Sequence, residues 1–366
     1  MPSQRVLHGI GNGALLCAVV LAVAWFWTPA SESLLSIESG SAQVLFRERA
    51  CELHPDASVL VLGNSLAGEG FLVNRFNQNA EGRFALNLAV PSAHWFLVER
   101  MAVMANDKGL RPRTILLMTA PEHFSERLDF DFLENDLTLA KPMLGAADIL
   151  RLHGHTSTPL RYVDYAPLLL LRPMLYRGEI RSLLLAPRRH LEGVKQLEAH
   201  LAAMRADLPQ AENGNTFSAC GVGSFDTLEA RVLDMRRNGH PQLGDYERVL
   251  AGFRARAGIP MAVDPHELRR FRRVLQVLRG MAPNVVVAPA PFYDPGFRQY
   301  PQSFREAMAT AIAQTVRDVP GATLLPPIDT ACDDFMDTAH FNRKGAERFT
   351  DEVILTIAKT EAADGL

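Results

Sequence analysis

The run Val59-Leu-Val-Leu-Gly-Asn-Ser65-Leu constrains this chain more than any other stretch. Four apolar residues followed by Gly-x-Ser read as a buried strand that stops at a tight turn and presents a serine at its end. Continuous apolar strands of this kind belong to parallel sheets, which are covered on both faces. Further strands are expected at Phe84–Val90, Thr114–Met118, Asn284–Ala288 and Ala322–Leu325. Between several of them apolar residues recur at helical spacing, over His94–Lys108, Phe304–Val319 and Gly345–Lys359. The alternation predicts an α/β fold with a parallel sheet between helical layers. In such sheets sites form beyond the carboxyl ends of the strands, which is where Ser65 would sit.

A serine hydroxyl is a weak nucleophile and needs a base within hydrogen-bond reach, with a third group to orient that base. The segment Asp337-Thr-Ala-His340-Phe-Asn offers both from one short stretch near the carboxyl terminus. In the resulting scheme Ser65 is the nucleophile, His340 takes and returns the proton, and Asp337 fixes the imidazole tautomer. Each residue also has an ordinary reading. Ser65 fits a turn or a helix N-cap. Asp337 fits a cap for the final helix, and His340 an N-terminal residue of it.

These two blocks, Gly63-Asn-Ser65 and Asp337-x-x-His340, carry a resemblance to the SGNH (GDSL-like) hydrolase superfamily. Asn342 and Gly345 follow the second block, as in many members. Asn87-Leu-Ala-Val-Pro-Ser92 is similar to the second block of that family, while the third, Gly-x-Asn-Asp, is replaced by Leu116-Leu-Met-Thr-Ala-Pro-Glu122-His123. The resemblance covers roughly residues 55–125 and 280–360. It implies a three-layer sandwich and an oxyanion hole built from the backbone N–H groups of Ser65 and Ser92. A backbone donor at Ser92 survives the loss of the usual glycine provided its φ is not positive. The third donor, normally the asparagine of the missing block, is left open among Asn64, Asn87, Glu122 and His123.

Residues Gly9 to Ala30 form a nearly unbroken apolar run, about the ~20 residues a helix needs to span a bilayer. Arg5 precedes it, and Trp25-Phe-Trp27 lies where an interfacial aromatic belt falls. The expected arrangement is a single pass with the amino terminus inside and the catalytic domain outside, at the inner membrane facing the periplasm. Thr28-Pro-Ala30 also fits a weak signal-peptidase site, so a cleaved signal peptide is the other reading. With such an anchor the chain is similar to the extracytoplasmic branch that includes DltD and the polysaccharide O-acetylation proteins. That likeness implies acyl transfer or deacylation on a cell-envelope glycan or exopolysaccharide, through an acyl-serine, with a membrane-bound O-acyltransferase as partner and no cofactor. The alternative is a non-catalytic scaffold of the same fold serving such an acyltransferase.

The division expected is 1–30 anchor or signal peptide, 31–125 and 281–366 the two parts of the sandwich, and 126–280 a helical insertion or cap. A formal net charge of -3 offers no whole-chain attraction for nucleic acid. Beyond Cys17 lie Cys51, Cys220 and Cys332; in an oxidising compartment one pair would bridge, and the sequence does not choose it. No Cys/His spacing resembles a zinc site, and His153-Gly-His155 reads as a solvated loop. Asp264-Pro-His-Glu267 predicts a helix start with an acidic cap. The arginines at 269, 270, 272, 273 and 279 read either as a solvated helix face or as a surface for an anionic polymer. Pro289, Pro291, Phe292 and Tyr293 either line the cleft or pack a rigid strand exit.

Overall fold

The structure is a computed structural model that describes residues 33–125, 132–145, 147–156, 159–170, 172–206, 212, 214–220, 225–256, 262–291 and 300–363. The apolar run Gly9–Ala30 lies outside the described residues, as do Phe292 and Tyr293. Among the described residues no helix is long and apolar enough to cross a membrane. The chain forms two compact units, residues 1–46 with 133–204 and residues 47–132 with 205–366. Residues 126–280 are thereby shared between the units.

The second unit is built on a five-stranded parallel sheet: β1 (Val59–Leu62), β2 (Ala85–Asn87), β3 (Thr114–Thr119), β4 (Asn284–Pro289) and β5 (Ala322–Leu324), in the order β2-β1-β3-β4-β5. The registers Val59↔Thr114 and Thr114↔Asn284 bring the amino ends of the three central strands level, so that β1 stops two residues short of β3 and β4 at the carboxyl end. Val59, Val61, Leu116, Met118, Val286 and Ala288 face one core, shared with Phe349, Val353 and Ile357 of the final helix Arg343–Ala363. The alternate residues Leu60, Leu62, Ile115, Leu117, Val285 and Val287 are equally buried and point to the opposite face. There the helices Trp95–Asp107 and Pro265–Met281 contact β1 and β4, and contact each other. Helices therefore cover both sides, which is why these strands lack a polar face.

The Pro265–Met281 helix begins as its sequence predicts. Asp264 accepts a hydrogen bond from the His266 N–H at 2.7 Å, with Pro265 in the first turn. The capping box does not close, because Glu267 turns instead to Arg270 at 2.5 Å and the Asp264 N–H donates to the Phe124 carbonyl. The arginines of this helix are engaged within the unit. Arg273 grips Glu99 at 2.9 and 3.1 Å, Arg272 pairs with Asp318, and Arg279 donates to the carbonyls of Pro320 and Ala282. Such commitments explain the arginines without a polymer ligand.

In the first unit Lys141 forms a buried ion pair with Glu179, which also accepts from Ser39 at 2.9 Å. Burial pulls the Lys141 ammonium below the ordinary lysine range against the opposing pull of Glu179. His155 is buried in this unit, which corrects the solvated-loop reading; only His153 of that pair is exposed.

Phe271 is fully buried, with ring centroids 5.2 Å from Trp95 and 5.3 Å from Phe124. Truncating such a ring leaves a cavity, so Phe271→Ala is expected to destabilise the unit by about 3–5 kcal/mol. Equilibrium urea unfolding measures this.

Candidate active site

In a sheet of this strand order the crevice where the winding reverses lies between β1 and β3. The segments leaving these two strands meet there. At the end of β1, Gly63 has φ +147, and a Cβ on it would lie 2.8 Å from the Met118 carbonyl oxygen and 2.9 Å from the Ala67 Cβ. Only glycine lets β1 turn this close to β3. Asn64 then caps the short helix Ser65–Gly70, its Oδ1 accepting from the Leu66 N–H at 3.0 Å. The cap is thus Asn64, and Ser65 is the first helical residue, with an N–H that has no intrahelical acceptor.

The Ser65 Oγ lies 2.8 Å from His340 Nε2, across 275 residues of sequence. His340 Nδ1 lies 2.8 Å from Asp337 Oδ2, and the other carboxylate oxygen accepts from the N–H groups of Ala339 at 2.8 Å and His340 at 2.7 Å. With an ionised Asp337, Nδ1 carries the proton and Nε2 faces the serine as an acceptor. Burial by itself would raise the Asp337 pKa, but the hydrogen bond and charge of His340 and the two backbone donors together bring it below the ordinary aspartate value.

The loop that carries this pair is closed by an antiparallel bridge between Phe335 and Phe341, with the Met336 N–H donating to the His340 carbonyl at 3.0 Å. Asp334, fully buried, accepts from the Ala331 N–H at 2.7 Å and pairs with Arg348 at 2.9 Å. Asn342 donates to the carbonyls of Phe217 and Asp333, and its Oδ1 accepts from the Gly345 N–H, so it is this residue that caps the final helix. Neither Asp337 nor His340 belongs to that helix. A Cβ at Gly345 would sit 2.2 Å from the Asp334 carbonyl oxygen, which accounts for the glycine there.

The other residues expected at the site divide. Ser92 has φ +61, the one positive φ among the described non-glycine residues, so the condition set for it as a donor is not met. The Ala93 N–H donates to the Val90 carbonyl at 3.0 Å, closing a turn with Pro91 second and Ser92 third. A type II turn demands a left-handed residue at that place, normally glycine. Ser92 takes the glycine-like conformation at a cost of about 1–2 kcal/mol. Asn87 is buried and committed to backbone, its amide donating to the Ala67 carbonyl at 3.1 Å and its oxygen accepting from the Ala89 N–H at 3.0 Å. Asn64 Nδ2 lies 3.3 Å from His123 Nε2, linking the exits of β1 and β3. Burial holds the His123 imidazole down at about 4, so it is neutral near pH 7. Glu122 accepts from the Tyr300 hydroxyl at 3.0 Å.

Two features escape a reading of the sequence. Glu69 lies one turn after Ser65 on the same helix face, with only Gly68 between them on that face. Its Oε2 is buried without a hydrogen-bond partner. Burial raises its pKa, with His340 and Arg248 pulling it down and Asp337 pushing it up. The spacing of four from the serine was the available signal. The second feature is the bridge Cys220–Cys332, with Cα atoms 5.1 Å apart, leaving Cys51 buried and free. Together with Ala219 N–H to Phe335 carbonyl at 2.7 Å, it staples the Asn215–Cys220 segment to the histidine loop.

Set against known proteins, the chain matches no protein-family model, and no curated protein matches it.

Two outcomes follow from this geometry. The bridge closes a loop of sequence separation 112, so reducing it is expected to cost about 2–5 kcal/mol, read by denaturant unfolding with and without reductant. A carboxyl whose pKa is raised on folding favours the folded state below its unfolded pKa, and that contribution is lost as pH rises through the folded value. Glu69→Gln is therefore expected to gain stability over the parent at pH 7 and to lose that advantage near pH 4. Paired unfolding curves at the two pH values measure it.

Proposed function

We propose that this chain is a serine-dependent acyl-group enzyme of SGNH type, an O-acyltransferase or acylesterase acting on acyl, most simply acetyl, groups of a cell-envelope glycan. The observation that carries the reading is the continuous relay from Ser65 Oγ through His340 to Asp337, with both links at 2.8 Å. A helix cap explains neither link, since Asn64 and Asn342 already perform the capping.

In this reading Ser65 Oγ attacks the acyl carbonyl while His340 Nε2 takes its proton. The oxyanion that forms is met by the Ser65 N–H at the start of its helix; Ser92, held in its glycine-like conformation, does not serve as the second donor. Collapse expels the alcohol, which leaves with the proton from His340, and the acyl group stays on Ser65. A second hydroxyl, from water or a sugar, then gives its proton to His340 as it attacks the acyl-serine, and His340 passes that proton to Ser65 Oγ as the acyl group departs. Asp337 keeps the imidazole in the required tautomer and stabilises it while it is charged. The chemistry asks for no cofactor.

The setting belongs to the same proposal: a single-pass anchor at Gly9–Ala30, the enzyme on the extracytoplasmic side of the inner membrane, and a membrane-bound O-acyltransferase supplying acyl groups. The Cys220–Cys332 bridge supports an oxidising compartment. One observation favours the scaffold alternative. Asn87 is spent on backbone and Asn64 lies against His123, so neither supplies the missing third donor in this arrangement.

The test is hydrolysis of a chromogenic acetyl ester by the full-length protein in detergent, with mass spectrometry of the Ser65 peptide. Ser65→Ala is expected to lower turnover by about 10⁴-fold or more without unfolding, and Asp337→Asn by about 10⁴-fold through the wrong imidazole tautomer. A folded parent protein with no turnover and no acyl-Ser65 would favour the scaffold.

A further inference from the structure

Eight large apolar side chains are exposed among the described residues, and six of them lie in the first unit: Leu150, Val163, Met174, Leu184, Leu185 and Leu191. Two of these, Leu184 and Leu185, lie where two helices meet. The helix Arg177–Leu185 ends at Ala186, and Pro187 opens the helix Pro187–Ala203, so the chain turns a corner with no loop. Leu184 and Leu185 at this corner are 76% and 72% exposed, and every residue from Leu184 to Arg189 is exposed. Arg181 stands three and four positions before the two leucines, on their face of the helix, and Arg188 and Arg189 follow them. An exposed apolar tip rimmed by arginines has the composition of a segment that enters the headgroup region of an anionic bilayer.

The fold also ties this tip to the start of the described chain. The Ile37 N–H donates to the Gly193 carbonyl at 3.0 Å, and a Cβ on Gly193 would approach the Ser36 Cβ at 3.0 Å. Glu38 pairs with Arg189 itself at 2.9 Å. Six residues, and so seven Cα–Cα steps, separate Ala30, the end of the apolar run, from Ile37. Fully extended, they reach at most about 25 Å. A bilayer spanned by Gly9–Ala30 therefore lies within one short tether of the corner.

We propose that the Leu184–Arg189 corner is a second membrane contact, entering the headgroup and upper acyl region of the leaflet in which the anchor ends, with anionic lipid as its ligand. It rests on the reading of Gly9–Ala30 as a retained span. Leu184 and Leu185 supply the apolar wedge, and Arg181 and Arg188 meet lipid phosphates. Anchor and corner together hold the first unit at two points, which fixes its orientation to the membrane instead of leaving it free to swivel.

The experiment is nitroxide labelling of Leu184→Cys in the full chain, in a Cys17→Ser background, reconstituted in vesicles of phosphatidylcholine with or without phosphatidylglycerol. Other thiols stay silent: Cys220 and Cys332 are bridged, and Cys51 is buried with its pKa pushed up to about 12. The expected result is relaxation by oxygen exceeding that by a water-soluble nickel complex, at a depth of about 5–10 Å, strengthened by the anionic lipid. An aqueous label at Leu184, in chains that remain with the vesicles after an alkaline carbonate wash, overturns the contact and spares the anchor. Loss of the chain in that wash overturns the anchor and the tether that places the corner. A label shielded from both reagents reports a second copy of the chain on this tip and overturns the lipid assignment.

Discussion

The candidate site depends on one carboxylate accepting three hydrogens at once. Asp337 takes the N–H groups of Ala339 and His340 on one oxygen and the His340 ring on the other. The two backbone bonds fix the carboxylate relative to the loop, so the third bond fixes the ring relative to both. Without them the imidazole would keep its partner but lose its direction, and Nε2 would have no reason to face Ser65. A relay across so large a sequence separation works only if both ends are rigid. On the serine side rigidity comes from Gly63 pressed against β3 and from the Asn64 cap. On the histidine side it comes from buried Asp334, the Asn342 cap and the staple to Cys220.

The parts of this arrangement that were readable in the sequence are those fixed by local chemistry. The strand Val59–Leu62, the glycine turn after it and the Asp264 cap each follow from residues within a few positions of one another. The sheet class follows from central strands whose middles are apolar on both faces. The expected Phe84–Val90 strand shortens to Ala85–Asn87 because its partner β1 turns away at Gly63. Pairing contacts persist only briefly beyond it, in Leu88 N–H to the Val61 carbonyl and Val90 N–H to the Gly63 carbonyl.

What stayed hidden depends on distant partners. Three cysteines allow three pairings, and only the approach of Cys220 to Cys332 selects one. The arginines of Pro265–Met281 form a largely solvated face, as their spacing suggests, but their partners Glu99, Asp318 and the Pro320 carbonyl are invisible until the fold brings them alongside. Ser92 shows how a loose block match loses meaning: the glycine-like turn is kept without the glycine, which no pattern of residue types reveals. Glu69 is the instructive omission. A carboxylate on a short helix is ordinary, and it acquires interest only once His340 and Asp337 arrive from the far end of the chain.

The strand order carries a consequence for the making of this protein. β1, β2 and β3 leave the ribosome together, but β4, which must pair along the whole outer edge of β3, lies about 165 residues further on. At about 5–20 residues per second, that edge waits roughly 8–33 s for its partner. During that interval the six residues Thr-Ile-Leu-Leu-Met-Thr present an unpaired, uncharged template for strand addition by other chains. The wait is set by the length of the intervening helical segment. A nascent chain of this design therefore carries an open β3 edge until β4 has been made.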